Sequence, residues 1–133
     1  MIDHLSLPVA DLERSRRFYD AALAPLGARR MLDLEEADYT ASGYGMREGE
    51  PAFWVGTGTR PGAAAPVPPE GLHVAFQAPD RAAVDAFHAA AVAAGGLDNG
   101  GPGLRPQYHP NYYAAFAIDP DGHHVEAVCH RPA

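Results

Sequence analysis

Cysteine is nearly absent from this chain of 133 residues: Cys129 stands alone, which rules out an internal disulfide and fits a reducing compartment. Basic residues are also scarce. Ten Lys plus Arg stand against seventeen Asp plus Glu, a formal net charge of −7, and no Lys/Arg run offsets it locally. A nucleic acid or an anionic membrane would therefore meet bulk repulsion, and neither is expected as a partner. Arg14, Arg16 and Arg17 lie close together, but on a helix that also carries acids, where they read as a solvated face. Long apolar runs are missing as well. None approaches the ~20 residues of a membrane helix, and no signal peptide is recognisable, so a soluble, cytoplasmic protein is expected. With 47% hydrophobic and 20% charged residues, a chain of this length buries a core without disulfides or a structural metal.

What the chain does have is a copy of itself. The segment from His4, HLSLPVADLERSRRFYDAALAPLG, aligns with the segment from His73, HVAFQAPDRAAVDAFHAAAVAAGG, at an offset of 69 residues. The offset places His4 on His73, Asp11 on Asp80, Phe18 on Phe87, Ala22 on Ala91 and Gly27 on Gly96. Repetition of this kind fixes an architecture of two equivalent modules before any motif is read. It also puts an imidazole at the same place in each.

Each copy reads as a strand, then a helix, then further strands. Leu5, Leu7 and Val9 alternate with His4, Ser6 and Pro8 in the strand manner. Asp11 caps a helix whose apolar stripe runs through Ser15, Phe18, Tyr19, Ala22, Leu23 and Leu26, and Gly27 stops it. Strands are expected at about 29–34, 39–44 and 52–56. In the second copy His73, Ala75 and Gln77 oppose Leu72, Val74 and Phe76. Asp80 then caps a helix with Val84, Phe87, His88, Ala91 and Val92 on its stripe. Residues 97–111, rich in Gly and Pro, predict a long loop around one short strand. Residues 112–118 and 124–129 predict a hairpin, with Pro120 and Gly122 in its Asp-Pro-Asp-Gly turn.

The expected fold is α+β: two tandem βαβββ modules, 1–57 and 71–133, joined by a Pro/Ala/Gly-rich linker over 58–70. Curled mixed sheets would carry their helices outside and enclose a cavity between them.

The cavity-facing register of those strands carries the chemistry. His4 and His73 begin equivalent strands, and Glu126 lies on the last strand between the core-facing Val125 and Ala127. Two neutral imidazoles and a carboxylate form a ligand face that leaves positions open for water and substrate. One divalent Fe, Mn, Ni, Co or Zn suits such a set, with ligand distances of about 2.0–2.2 Å for zinc. An unpaired buried carboxylate at Glu126 would otherwise need neutralising. Repeat equivalence sets Trp54, in Phe53-Trp54-Val55, at the position of Glu126. Trp54, Phe53 and Tyr44 are candidates for an aromatic wall against a planar substrate, with core packing as the alternative. On the long loop, Tyr108, Tyr112 and Tyr113 are placed to close the cavity mouth. His109 there is a candidate general acid or base, or a plain surface histidine. His123 is expected to be exposed in its turn, and Tyr19 and His88 to pack.

On the opening IDHLSLPVADLERSRRFY, the GLHVAF of the second module and the closing AFAIDPDGHHVEAV, the chain resembles the vicinal oxygen chelate superfamily. That superfamily holds glyoxalase I, fosfomycin-resistance transferases, bleomycin-resistance proteins and extradiol dioxygenases. The resemblance implies metal ligands at His4, His73 and Glu126, and a homodimer with sites between modules. It also implies a fourth ligand on the fourth strand in the glyoxalase pattern, a Glu or His, where this chain has Trp54. Two functions of different class follow. One is a metal-dependent lyase, transferase or dioxygenase on a small oxygen-chelating substrate, other than glyoxalase I itself. The other is a metal-free module that sequesters a drug or other small molecule, as the bleomycin-resistance branch does.

Overall fold

The computed structural model describes residues 1–59 and 72–133; most of the expected linker lies outside these residues. The first module runs β1 (Leu5–Pro8), α1 (Leu12–Leu23), a 3-10 turn (Ala24–Leu26), β2 (Ala28–Glu36), β3 (Tyr39–Met46) and β4 (Phe53–Gly58). The second runs β5 (His73–Gln77), α2 (Arg81–Ala93), β6 (Leu97–Asp98), β7 (Gly103–Leu104), β8 (Tyr113–Ile118) and β9 (His124–Cys129). Two separate sheets result, ordered β1-β4-β3-β2 and β5-β9-β8-β6, with β7 pairing to β8. The first strand of each module joins its last strand in parallel, and all other pairings are antiparallel. The sheets are curled but not closed, so within one chain the cavity expected between modules is not enclosed.

Both helices start where the sequence signals them. Asp11 accepts the Arg14 N–H at 3.1 Å and Asp80 accepts that of Ala83 at 2.8 Å, satisfying donors that the first helical turn leaves unpaired. Gly27 then takes φ 87°, a left-handed conformation that ends the 3-10 turn. The apolar stripes of the helices meet the sheets and each other: Phe18, Phe87, Val84, Ala22 and Ala91 are wholly buried. Aromatic rings stitch the modules together, with Phe53 of β4 edge-on to Phe76 of β5 at 5.1 Å.

The regular repeat fails in one place. The module-two counterpart of the nine-residue β2 is broken into the two-residue β6 and β7. The Gly100-Gly101-Pro102-Gly103 run between them offers neither side chains for a pleated surface nor, at Pro102, an N–H for the ladder. Two exposures also differ from expectation. Leu72 and Val92 are each 42% exposed, because Leu72 precedes β5 and Val92 lies near the end of α2.

A polar clasp locks the β8–β9 hairpin to α1. Gly122 (φ 100°) lets the Asp119-Pro120-Asp121-Gly122 turn close, with its N–H on the Asp119 carbonyl at 3.0 Å. The buried Asp119 carboxylate accepts the N–H groups of Asp121 and His123 and, at 2.6 Å, the Tyr19 hydroxyl. Asp121 reaches the start of α1, accepting from the Ala10 N–H, Arg14 and Ser15. His123, expected in solvent, is 3% exposed, and its Nε2–H donates to the Pro8 carbonyl at 2.7 Å. Burial pushes the Asp119 carboxyl up, opposed by these donors, and burial first and Asp119 second push the Tyr19 phenol well above 10.

Candidate metal and ligand site

Strand parity divides each sheet into a helix-facing and a concave side. On β9, Val125, Ala127 and Cys129 join the core under α2, so Glu126 falls on the concave side, opposite Ala75 of β5 and Phe116 of β8. His73 shares that side at the start of β5. Its Nε2 lies 3.3 Å from Glu126 Oε2. Glu126 is 1% exposed, and its other oxygen, Oε1, accepts the Tyr112 hydroxyl at 2.5 Å. One carboxylate oxygen is therefore satisfied by a hydrogen bond from the loop that precedes β8, and the other faces the His73 imidazole on β5. The phenol of Tyr112 is pushed up to about 12, by burial first and by the Glu126 hydrogen bond second.

The His73–Glu126 pair fits a metal. Two ligands at about 2.1 Å from one ion stand about 3.0 Å apart at a right angle and about 3.4 Å apart at the tetrahedral angle. The observed 3.3 Å lies between these values. The pair also offers one imidazole nitrogen and one carboxylate oxygen, a donor set suited to a borderline divalent ion.

His4 does not join them. It precedes β1, is exposed, and its Nδ1 lies 2.5 Å from Asp3 Oδ1. It borders a cleft on the concave face of module one with Ser6, Leu34, Tyr39, Ala41 and Trp54. Among the described residues, no three His, Cys, Asp or Glu side chains gather as a metal site. Within one chain the two imidazoles thus belong to separate modules.

The register fixes what replaces Glu126 in module one. Ser6 is paired with Trp54, and Ala75, its repeat equivalent, with Glu126. Trp54 also faces Gly43 of β3. Glu50, the nearest acid before β4, lies in the preceding turn. It borders a cavity of about 400 Å³ with Tyr44, Met46, Phe53 and Phe76.

Three of the aromatic candidates lie on the other side of their sheets. Phe53 and Tyr44 are buried under α1, where the Tyr44 hydroxyl donates to Asp20 at 2.9 Å, so they form core rather than a wall of the concave face. Tyr113 also faces the helix layer. Its hydroxyl donates to Asp85 of α2 at 2.7 Å and the Arg81 guanidinium covers its ring, because its parity on β8 is opposite to that of Phe116. Tyr108 is 65% exposed, with its ring 5.2 Å from Tyr112. His109 is exposed too: its Nδ1 accepts the Asn111 N–H at 3.0 Å and its ring meets His130 edge-on. Among the described residues no contact links His109 directly to Glu126. Tyr112 is the loop residue that reaches the carboxylate. Its even parity with Ala114 and Phe116 was the available signal.

This fold and this site define a class. The model of the Glyoxalase/Bleomycin resistance protein/Dioxygenase superfamily matches residues 1–127, and the chain belongs to that superfamily. A glyoxalase/bleomycin resistance protein from Albidiferax ferrireducens T118 is 33% identical, with 97% of each chain covered and a TM-score of 0.71. A glyoxalase/bleomycin resistance protein/dioxygenase domain from Frankia sp. EAN1pec, at 18% identity and a TM-score of 0.71, shares the fold over 96% of this chain and 95% of its own. A glyoxalase I mutant from Zea mays, at 24% identity and a TM-score of 0.70, also shares the fold, over 96% of this chain but 46% of its own. Among curated proteins none matches this sequence. Among the described residues no helix is long and apolar enough to cross a membrane.

Proposed function

We propose that this chain is a metal-dependent enzyme acting on a small molecule that presents adjacent oxygens, and that it is not glyoxalase I. The observation that carries the reading is the 3.3 Å approach of His73 Nε2 to the buried Glu126. These two residues would hold the ion, a divalent Fe, Mn, Ni, Co or Zn, together with His4 from a second copy. A homodimer in which the module-one face of one chain covers the module-two face of the other supplies that third ligand. It also closes the concave faces that one chain leaves open. When bound, the ion contributes a Lewis acid toward an oxyanion on the substrate. Tyr112 orients the carboxylate by bonding Oε1, which leaves Oε2 turned toward His73. Trp54 offers an indole N–H donor and no oxygen, so the four-ligand glyoxalase pattern is incomplete at its position. The setting is the cytoplasm.

One observation favours the metal-free alternative, a binding module that sequesters a small molecule: Glu126 already accepts a hydrogen bond from Tyr112. Elemental analysis of tag-free protein before and after chelator treatment separates the two. About one ion per chain, restored by adding Mn, Fe, Co, Ni or Zn, supports the enzyme. A content near zero that none of these ions restores ends that reading and favours sequestration. Sedimentation at micromolar concentration tests the homodimer.

A further inference from the structure

We propose that Arg105 anchors an acidic group on the small molecule, so that the concave face of module two takes a ligand carrying a carboxylate or a phosphate. This deepens the reading above and rests on Glu126 marking the site; it gives the ligand a charge and names the residue that holds it.

Arg105 directly follows β7, and its N–H donates to the Tyr112 carbonyl at 2.7 Å, which continues the β7–β8 ladder by one residue. Cross-strand neighbours share a face, so Arg105 stands with Tyr112 on the concave side. Its guanidinium carbon lies 5.3 Å from the centre of the Phe116 ring, and Phe116 is the β8 neighbour of Glu126. Nη2 donates to the Gly101 carbonyl at 2.8 Å, and Nη1 reaches that of Leu104 at 3.5 Å. The glycines of this loop leave the room. A Cβ at Gly100 would come 3.1 Å from Phe116 Cδ2 and 3.4 Å from Arg105 Nη2, and one at Gly103 would come 3.2 Å from Nη1. The guanidinium is thus held over a ring before any ligand arrives, and little side-chain freedom remains to be lost on binding.

The held cation is not used up. A guanidinium has five N–H donors, and the two carbonyls engage two of them. Arg105 is only half-buried, and among the described residues no carboxylate pairs with it. Glu126 itself is turned elsewhere, one oxygen to Tyr112 and the other to His73. Neighbouring strands stand about 4.8 Å apart and β7 is two strands from β9, so an anion on the guanidinium lies about 5–10 Å from the Glu126 carboxylate. That separation leaves Tyr112 and His73 in place, and one small molecule spans it. The chain as a whole repels anions at a net charge of −7, so an acidic ligand needs a fixed cation at its site. The planar fork of an arginine meets a carboxylate or phosphate with two parallel hydrogen bonds.

Chelator-treated, full-length protein is titrated with benzoate, phenyl phosphate and benzamide, which share one ring and differ in head group. The readout is the Arg105 Nε–H signal in a nitrogen–proton NMR spectrum, identified by its loss in Arg105→Lys. At least one anion is expected to move that signal saturably and to bind about 5- to 12-fold more tightly than benzamide, the interval between the strongest exposed ion pairs and the weakest hydrogen bonds to charged groups. The tighter anion names the acid as carboxylate or phosphate. The preference over benzamide should shrink as salt is raised. Followed by ligand-observed saturation transfer, it should vanish in Arg105→Gln and persist in part in Arg105→Lys, which keeps the charge without the fork. A residue that only braced its loop would leave the preference unmoved when changed. Equal affinity for the three probes, or binding of none, overturns the proposal, and this outcome is read on the parent even if Arg105→Gln does not fold. So does a parent-like preference in Arg105→Gln. An Arg105 signal that shifts with protein concentration and with neither anion also overturns it, because a second copy then supplies the partner. The experiment contains no metal, so its failure is distinct from a failure of metal uptake.

Discussion

Tyr19→Phe removes one oxygen from the clasp that ties the β8–β9 hairpin to α1, and its cost follows from the geometry. The ring is 1% exposed and its hydroxyl donates to Asp119 at 2.6 Å. A hydrogen bond to a charged group contributes about 1.5–3 kcal/mol, and the variant leaves the buried carboxylate only the Asp121 and His123 N–H donors. No hydrocarbon is lost, so no large cavity term is added. A loss of about 2 kcal/mol is expected. For a domain of this size that corresponds to a fall in Tm of about 6–10 °C. Urea unfolding should show a lower midpoint at unchanged slope. Tyr113→Phe is the control, since its hydroxyl meets the exposed Asp85, and it should cost under about 1 kcal/mol. If Tyr19→Phe lies within about 0.5 kcal/mol of the parent, or matches Tyr113→Phe, the clasp does not hold the modules as argued.

Alkaline pH should destabilise the fold. Tyr19, Tyr44 and Tyr112 all have phenols raised in the folded state, so the native chain holds protons that the unfolded chain releases; that stability is intact below pH 10 and lost as pH climbs. For Tyr112 the window is about 10 to 12, and Tyr112→Phe should flatten that part of the stability profile; an unchanged profile refutes the assignment. Glu126→Gln should keep the fold while weakening divalent-metal affinity on the order of 10- to 100-fold or more, measured by competition with a chromogenic chelator. Parent-like affinity would remove the carboxylate from the ligand set. Metal-reconstituted protein should turn over the methylglyoxal–glutathione hemithioacetal poorly; kcat/KM at or above about 10⁴ M⁻¹s⁻¹ would contradict the role given to Trp54.

The fold was legible because a repeat and an alternation are both local signals. The offset carrying His4 onto His73 also carried the Asp11 and Asp80 caps, and the strand partners of Ser6 and Ala75 are Trp54 and Glu126. Phe53, Tyr44 and Tyr113 lie on the helix side of their sheets for a physical reason. Ring chemistry does not say which face of a sheet a residue occupies, whereas parity does: Phe53 and Val55 share the core side and leave Trp54 on the other. His123 was unreadable in the same sense. A turn sequence gives its own geometry, but the burial of His123 comes from contacts more than a hundred residues away, at Pro8.

Cys129, the only thiol, gives the second module a built-in clock. It closes β9, three residues beyond Glu126, is 1% exposed, and its sulfur accepts the Arg131 N–H at 3.4 Å. β9 is flanked by β5 and β8, and Cys129 is its last residue, so a reagent reaches that sulfur when the end of the strand frays or the core opens. The rate of thiol alkylation in the native protein therefore reads how often the C-terminal end of β9, three residues from the carboxylate, comes open. Any ligand that bridges His73 and Glu126 should slow it in proportion to occupancy, without a label having been added to the chain.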